Sequence, residues 1–93
     1  MPKTSDPDSV IRTYVRSGRL ATMPRAGRKR LIVLEYLVTT FEPGVRYPER
    51  EVNAILGSYW PDVAALRRYF VDAALLDRAD GMYWRIGGPV EVG

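Results

Sequence analysis

The stretch from Arg46 to Leu76 constrains the fold more than any other part of the chain. It contains two segments whose apolar residues recur at helical spacing. Gly57-Ser58 separates them and permits the left-handed conformation in which helices commonly end. Pro48 and Pro61 each stand near the start of a segment, where a missing N–H costs no hydrogen bond. The stretch therefore predicts a helix, a tight turn and a second helix.

The apolar spacing also assigns an inner and an outer face to the second predicted helix. Asp62 is expected to cap this helix or to lie in its first turn, while Ala65, Arg68 and Asp72 are expected to face outward. The expected inner residues are Val52, Ile55 and Leu56 in the first helix, and Val63, Leu66, Phe70 and Ala73 or Ala74 in the second.

A β-hairpin is predicted directly after the two helices. Asp80-Gly81 is a strong two-residue hairpin signal, and the β-prone run Tyr83 to Ile86 follows it. Val45 to Tyr47 has room for a further short strand before the first helix. A hairpin after a helix-turn-helix is the arrangement of a wing. We therefore predict an α+β fold, mainly α with a small β wing: a winged helix-turn-helix unit over residues 30 to 87.

The front of the chain adds an extra helix to this unit. Asp6-Pro7-Asp8 is typical of a helix start, and apolar residues recur through about Arg16 before Ser17-Gly18 stops the pattern. Leu20 to Met23 is a short strand candidate that would pair with the edge of the wing. A central helix is expected from Arg28 or Lys29 to about Phe41; its apolar middle also fits a buried strand, but its length favours a helix. We expect a flexible N-terminus at residues 1–7, one domain at 8–87 and a flexible tail at 88–93.

Composition excludes several classes of function. The chain has no Cys and no His, which removes disulfides, thiol nucleophiles, imidazole bases and ordinary zinc sites. Its serines have no histidine partner, and no glycine-rich phosphate loop follows a strand. We therefore expect no enzyme activity, no metal and no cofactor. No apolar run is long enough to span a membrane and no signal peptide is recognisable, so a cytoplasmic protein is expected.

Positive charge is concentrated in the front third of the chain. The net charge is +3 over 93 residues, but residues 1–30 carry eight basic and two acidic side chains, whereas residues 31–93 carry six and nine. Arg25, Arg28, Lys29 and Arg30 surround the predicted start of the central helix, where the helix dipole disfavours cations. This conflict indicates an anionic partner such as DNA phosphate. The alternative is an ordinary solvated face.

Further basic residues lie in the second helix and in the wing. Arg67 and Arg68 are placed to enter a major groove, where guanidinium groups commonly bind guanine; the alternative is that they form structural ion pairs, Arg68 with Asp72. Arg78 and Arg85 would contact phosphates from the wing, unless the hairpin is merely solvated.

The aromatic residues and Asn53 have two interpretations each. Asn53 would bind adenine or, with more support, cap the neighbouring turn. The aromatic side chains would stack on single-stranded bases or, as is commoner in small domains, fill the core. The aromatic residues concerned are Tyr47, Tyr59, Trp60, Tyr69, Phe70, Tyr83 and Trp84.

Residues 10 to 86 resemble a bacterial family known only as domain of unknown function 2087. The resemblance implies a role in transcriptional regulation, since members resemble regulators and are often attached to a separate helix-turn-helix domain. It also implies an alternative, in which such a domain senses a ligand or mediates contacts. The residues that carry it are Leu20, Met23-Pro24-Arg25, Arg28-Lys29-Arg30, Phe41, Tyr47, Glu49, Glu51-Val52-Asn53, Ile55-Leu56, Asp62, Leu66-Arg67-Arg68, Val71-Asp72, Leu76, Arg78, Gly81 and Tyr83-Trp84.

The leading expectation is a transcriptional regulator that binds double-stranded DNA. The competing expectation is a protein-interaction or effector-sensing module that uses the same scaffold without touching DNA; a second copy of the chain or a regulatory protein would be its partner. Its support is the net negative charge of residues 31–93 and the neutral second helix. RNA binding is a weaker third option.

Overall fold

The computed structural model describes residues 6–89 and gives this part of the chain an α+β fold, which confirms the predicted class. The described elements comprise four helices and five strands, arranged in a two-stranded and a three-stranded antiparallel sheet. In chain order they are α1 (Pro7–Tyr14), β1 (Val15–Arg16), β2 (Arg19–Leu20), α2 (Gly27–Val38), β3 (Arg46–Pro48), α3 (Glu49–Gly57), α4 (Val63–Asp72), β4 (Leu76–Ala79) and β5 (Met82–Arg85).

The predicted extra helix is present as α1, but the segment after it differs from the prediction. Asp6 caps α1 by accepting a hydrogen bond from the Ser9 amide at 3.2 Å. The helix ends at Tyr14, not at about Arg16, because Ser17 and Gly18 adopt φ values of 54° and 75° and form a hairpin turn between β1 and β2. The strand predicted at residues 20–23 was therefore wrong in its bounds and in its partner, since β2 pairs with β1 and not with the wing.

The central helix α2 provides much of the core. Val33, Leu37 and Val38 are fully buried on it. It ends at Val38, earlier than the predicted Phe41, and Phe41 instead lies just beyond the helix, where its ring meets Tyr47 edge-on at 5.1 Å and Phe70 at 6.4 Å. These contacts join α2 to β3 and α4.

The predicted helix pair is present as α3 and α4. Pro48 is the residue before α3 and not its first residue, because its backbone is extended, with a φ of −66° and a ψ of 151°. Asp62 caps α4 by accepting from the Ala65 amide at 3.1 Å. Leu66 and Phe70 form the buried side of α4, as the periodicity predicts.

The three-stranded sheet has the order β3-β5-β4. Asp80 and Gly81 both have positive φ, 54° and 75°, and connect β4 to β5 at the predicted hairpin turn. On the inner face of the sheet, Tyr47 is paired with Tyr83, and both rings are buried.

Both ends of α3 are attached to a hairpin. At its start, the Glu49 amide donates to the Gly81 carbonyl of the β4–β5 turn at 2.9 Å. Just beyond its end, the Leu20 amide of β2 donates to the Tyr59 carbonyl at 3.0 Å. The α3–α4 pair is thus held between the two hairpins.

The predicted flexible ends lie largely outside the described residues. Residues 1–5 and 90–93 are not described. Asp6 and Pro7 belong to the start of α1, and Gly88 lies against Val38 of α2.

The contacts of Phe41 generate a prediction for stability. Phe41→Ala should lower the free energy of unfolding by about 3–5 kcal/mol, because the substitution removes a buried ring and leaves a cavity. Tyr36→Ala is the matched control; Tyr36 is 47% exposed on α2, and its loss should cost less than about 1 kcal/mol. Urea denaturation measures both values, and equal losses would contradict the placement of Phe41 at the centre of the core.

Candidate nucleic-acid interface

The outward face of α4 is a narrow stripe of three residues. Ala64, Arg68 and Asp72 are exposed, one turn apart from each other, while Ala65 is half-buried. The Arg68 guanidinium lies 5.9 Å from the Tyr69 ring centroid. The stripe therefore presents a small residue, one cation and one acid in succession along the helix.

Arg67 is directed toward α3 and not toward solvent. Its Nη1 donates a hydrogen bond to Oδ1 of Asn53, and its Nε is buried without a hydrogen-bond partner among residues 6–89. The pair links the two helices across their interface. Asn53 accordingly accepts from Arg67, whereas the sequence favoured a turn cap. The predicted groove contact of Arg67 would require this bond to break.

The start of α2 combines an uncapped helix end with exposed cations. Ala26 occupies the N-cap position without a side-chain hydrogen bond, and Gly27, at a φ of 74°, turns the chain into the helix. Arg25, Arg28 and Lys29 are exposed around this end. We refer to these three residues as the α2 basic cluster.

Arg30 is the fourth basic residue that the sequence predicts to bind an anion at this helix end. Its side chain instead makes contacts within the protein. Its Nε donates to the Pro24 carbonyl at 3.0 Å and its Nη2 donates to the Arg25 carbonyl, while its guanidinium lies 4.1 Å above the Tyr69 ring centroid. Arg30 thus fixes the loop before α2 and joins α2 to α4 by a cation–π contact.

Arg85 of β5 also makes contacts within the protein. Its Nε donates to the Gly87 carbonyl at 2.9 Å, its Nη1 donates to the Phe41 carbonyl at 3.0 Å, and its Nη2 donates to the Pro89 carbonyl. These bonds satisfy the carbonyls of Phe41, Gly87 and Pro89, which lie outside the helices and strands. If Arg85 contacted a phosphate, these hydrogen bonds would break.

Arg78 of β4 is exposed. Its Nη1 lies 3.5 Å from the Tyr83 hydroxyl, which itself donates to Oε1 of Glu49 at 3.1 Å. The hydrogen bond with Tyr83 raises the pKa of the Arg78 guanidinium above its usual value. Arg78 is therefore linked to Glu49 through the Tyr83 hydroxyl.

The aromatic residues mainly belong to the core. Tyr47, Phe70 and Tyr83 are buried. Trp84 is half-buried on the outer face of the sheet, where the guanidinium of Arg46 lies 4.3 Å from its ring centroid. Tyr59, Trp60 and Tyr69 pack against the core from its edge. These positions favour the packing interpretation over base stacking.

A cleft of about 260 Å³ opens between α2 and α4. Its walls are formed by Arg30 and the half-exposed Leu31 of α2 on one side, and by Tyr69 and Asp72 of α4 on the other. The volume lies just below the range of about 300–1,000 Å³ in which most small-molecule sites fall.

The part of the chain from residue 6 to residue 89 brings no three potential metal-ligating side chains together. None of its helices combines the length and the apolar character that a bilayer crossing requires.

The Arg67–Asn53 bond generates a second prediction. Asn53→Ala should lower the free energy of unfolding by about 1–3 kcal/mol, because Arg67 would keep a partly buried guanidinium without its acceptor. Adding Arg67→Met to that variant should recover much of the loss, since both polar partners are then removed. Arg68→Ala, the exposed neighbour, is the control and should leave stability unchanged. Chemical denaturation of the four proteins checks this; an Asn53→Ala variant as stable as the control would contradict the bond.

The comparisons with known proteins yield one match. Residues 19–85 match the model of a family described as an uncharacterized protein conserved in bacteria (DUF2087). No curated protein and no solved structure matches the chain. The matched segment runs from β2 to the end of β5 and contains α2, the helix pair and the whole three-stranded sheet. Because the match covers well over half of the sequence, the chain belongs to this bacterial family of unknown function.

Proposed function

We propose that this protein is a regulator that binds duplex DNA with a winged-helix unit formed by α2, β3, α3, α4, β4 and β5. The support is the order of these elements together with the strand order β3-β5-β4. In such a unit the second helix of the helix-turn-helix lies in the major groove, and the hairpin that follows contacts the DNA beside it.

The observation that carries the proposal is the exposed face of α4. Ala64 has a small side chain that lets the helix approach the base edges closely, and Arg68, one turn further on, extends a free guanidinium from the same face. A guanidinium in this position suits the O6 and N7 acceptors of guanine. Arg67 has no part in this proposal, because it is bonded to Asn53.

The α2 basic cluster supplies phosphate contacts in the proposal. The stacking of Arg30 on Tyr69 brings the start of α2 beside the last turns of α4. Arg25, Arg28 and Lys29 therefore project near one end of the helix that enters the groove. A phosphate at this position would also offset the repulsion between these cations and the positive end of the α2 dipole. Arg78 adds a cation on the wing.

A second candidate function is supported by the cleft between α2 and α4. A small effector bound against Leu31 and Tyr69 would contact the residues that connect the α2 basic cluster to α4. The module would then respond to a ligand, with a second copy of the chain or a regulatory protein as its partner. The cleft is small and open, so DNA binding remains the proposal that the geometry supports best.

Fluorescence anisotropy of a labelled random-sequence duplex at several salt concentrations tests the proposal. Wild-type protein should bind with a log K against log salt slope of about −3 to −5, equivalent to roughly four or five neutralised phosphates. Arg28→Gln should make the slope shallower by about 0.9, and adding Lys29→Gln should do so again by the same amount. The slope changes because each substitution removes one phosphate contact.

Arg46→Gln is the matched control for these variants. It removes the same charge as Arg28→Gln, but Arg46 lies on Trp84 at the outer face of the sheet. Its slope should equal that of the wild type. A folded wild-type protein that fails to bind duplex DNA at low salt would refute the proposal and favour the second candidate.

A further inference from the structure

The β1–β2 hairpin places two arginines directly opposite each other. Arg16 and Arg19 are cross-strand partners, and both are exposed. The adjacent pair, Val15 and Leu20, faces the core, and Leu20 is buried. The alternation of a strand thus places Val15 and Leu20 on the inner face, and Arg16 and Arg19 on the exposed face.

This pairing is electrostatically unfavourable for the hairpin by itself. Side chains directly opposite each other in an antiparallel pair have Cβ atoms about 4.5–5.5 Å apart, and like charges at that separation destabilise the pair. An anion between the two guanidinium groups would convert the repulsion into two charge-assisted hydrogen bonds.

The hairpin is fixed to the turn that precedes α4. The Leu20 amide donates to the Tyr59 carbonyl at 3.0 Å, and Nη1 of Arg19 donates to the Ser58 carbonyl at 3.2 Å. The arginine pair therefore lies near the first turn of α4. The α2 basic cluster lies near the other end of the same helix, because Arg30 stacks on Tyr69.

We propose that Arg16 and Arg19 form a second phosphate-binding site, which holds the DNA backbone at the N-terminal end of α4. The proposal rests on the proposed function, since it assigns a further contact to the same DNA complex. One phosphate group accepts from both guanidinium groups, or two successive phosphates accept from one each. With the α2 basic cluster, the pair anchors the backbone at both ends of a helix of ten residues, about 15 Å long.

The test is the salt dependence of duplex binding by Arg16→Gln, with Arg46→Gln as the charge-matched control. Arg16→Gln keeps the Arg19–Ser58 bond that positions the hairpin. Its log K against log salt slope should be shallower than that of the wild type by about 0.9, and the slope of Arg16→Gln/Arg19→Gln by about 1.8. The control should retain the wild-type slope.

The outcomes separate this inference from the proposed function. If the wild type binds and the slope for Arg16→Gln is unchanged, the hairpin site is overturned and the proposed function is left intact. The same holds if the slope changes as much in Arg46→Gln as in Arg16→Gln. Absence of wild-type binding would overturn both proposals.

A stability measurement without DNA gives a readout that a folding defect cannot imitate. Arg16→Glu replaces the like-charged pair with an opposite-charged pair and should raise the midpoint of thermal unfolding, while it weakens DNA binding by about tenfold or more at low salt. A variant that is more stable but binds more weakly identifies a site kept for an anion. A lowered midpoint would show that the two arginines do not repel each other, and would overturn the inference.

Discussion

Burial of Phe41 is the contact on which the arrangement of the other elements depends. Its ring lies just beyond the end of α2 and meets Tyr47 of β3 and Phe70 of α4 edge-on. Its carbonyl also accepts from Arg85 of β5. One residue therefore connects the central helix, the sheet and the helix that we place in the DNA groove. Edge-to-face contacts have specific geometry, so they fix the direction of α4 as well as burying apolar area. The direction of α4 in turn decides that Ala64 and Arg68 face solvent.

The arginines divide into those that mainly maintain this arrangement and those that are exposed and that we assign to a partner. Arg30, Arg67 and Arg85 donate to acceptors within the protein. The cations that we assign to the interface are exposed and lie elsewhere: the α2 basic cluster, Arg68, Arg78, and the pair of Arg16 and Arg19 on the β1–β2 hairpin. Arg78 and Arg19 each also donate one hydrogen bond within the protein, to the Tyr83 hydroxyl and the Ser58 carbonyl. This division changes the proposed interface. Less of the contact comes from the middle of α4 than the sequence suggests, and more comes from basic groups near its two ends. In the proposed complex, the chain's front third, where the positive charge is concentrated, would contact the DNA directly.

Local signals predicted the elements well, while distant partners could not be read from the sequence. The Asp80-Gly81 turn, the Asp62 cap and the apolar spacing of Val52, Leu66 and Phe70 act over a few residues, and each is found as expected. The β1–β2 hairpin was missed because two-residue strands leave almost no periodicity, and Ser17-Gly18 serves equally as a helix stop or a turn. The acceptors of Arg67 and Arg85 lie 14 and 44 residues away along the chain. Only the packed fold brings these groups together, so no spacing rule separates them from DNA-binding arginines.

The central claim is that α4, the start of α2 and the β1–β2 hairpin form one DNA-binding surface. Titration of ¹⁵N-labelled protein with a short duplex, followed by two-dimensional NMR, tests it most directly. We predict that backbone amide signals of residues 16–19, 27–29 and 64–68 shift or broaden with added DNA. The amides of Val45 and Arg46, at the edge of the sheet farthest from Arg78, should stay unchanged. Shifts confined to residues that line the α2–α4 cleft, or no shifts at all from a folded protein, would contradict the account.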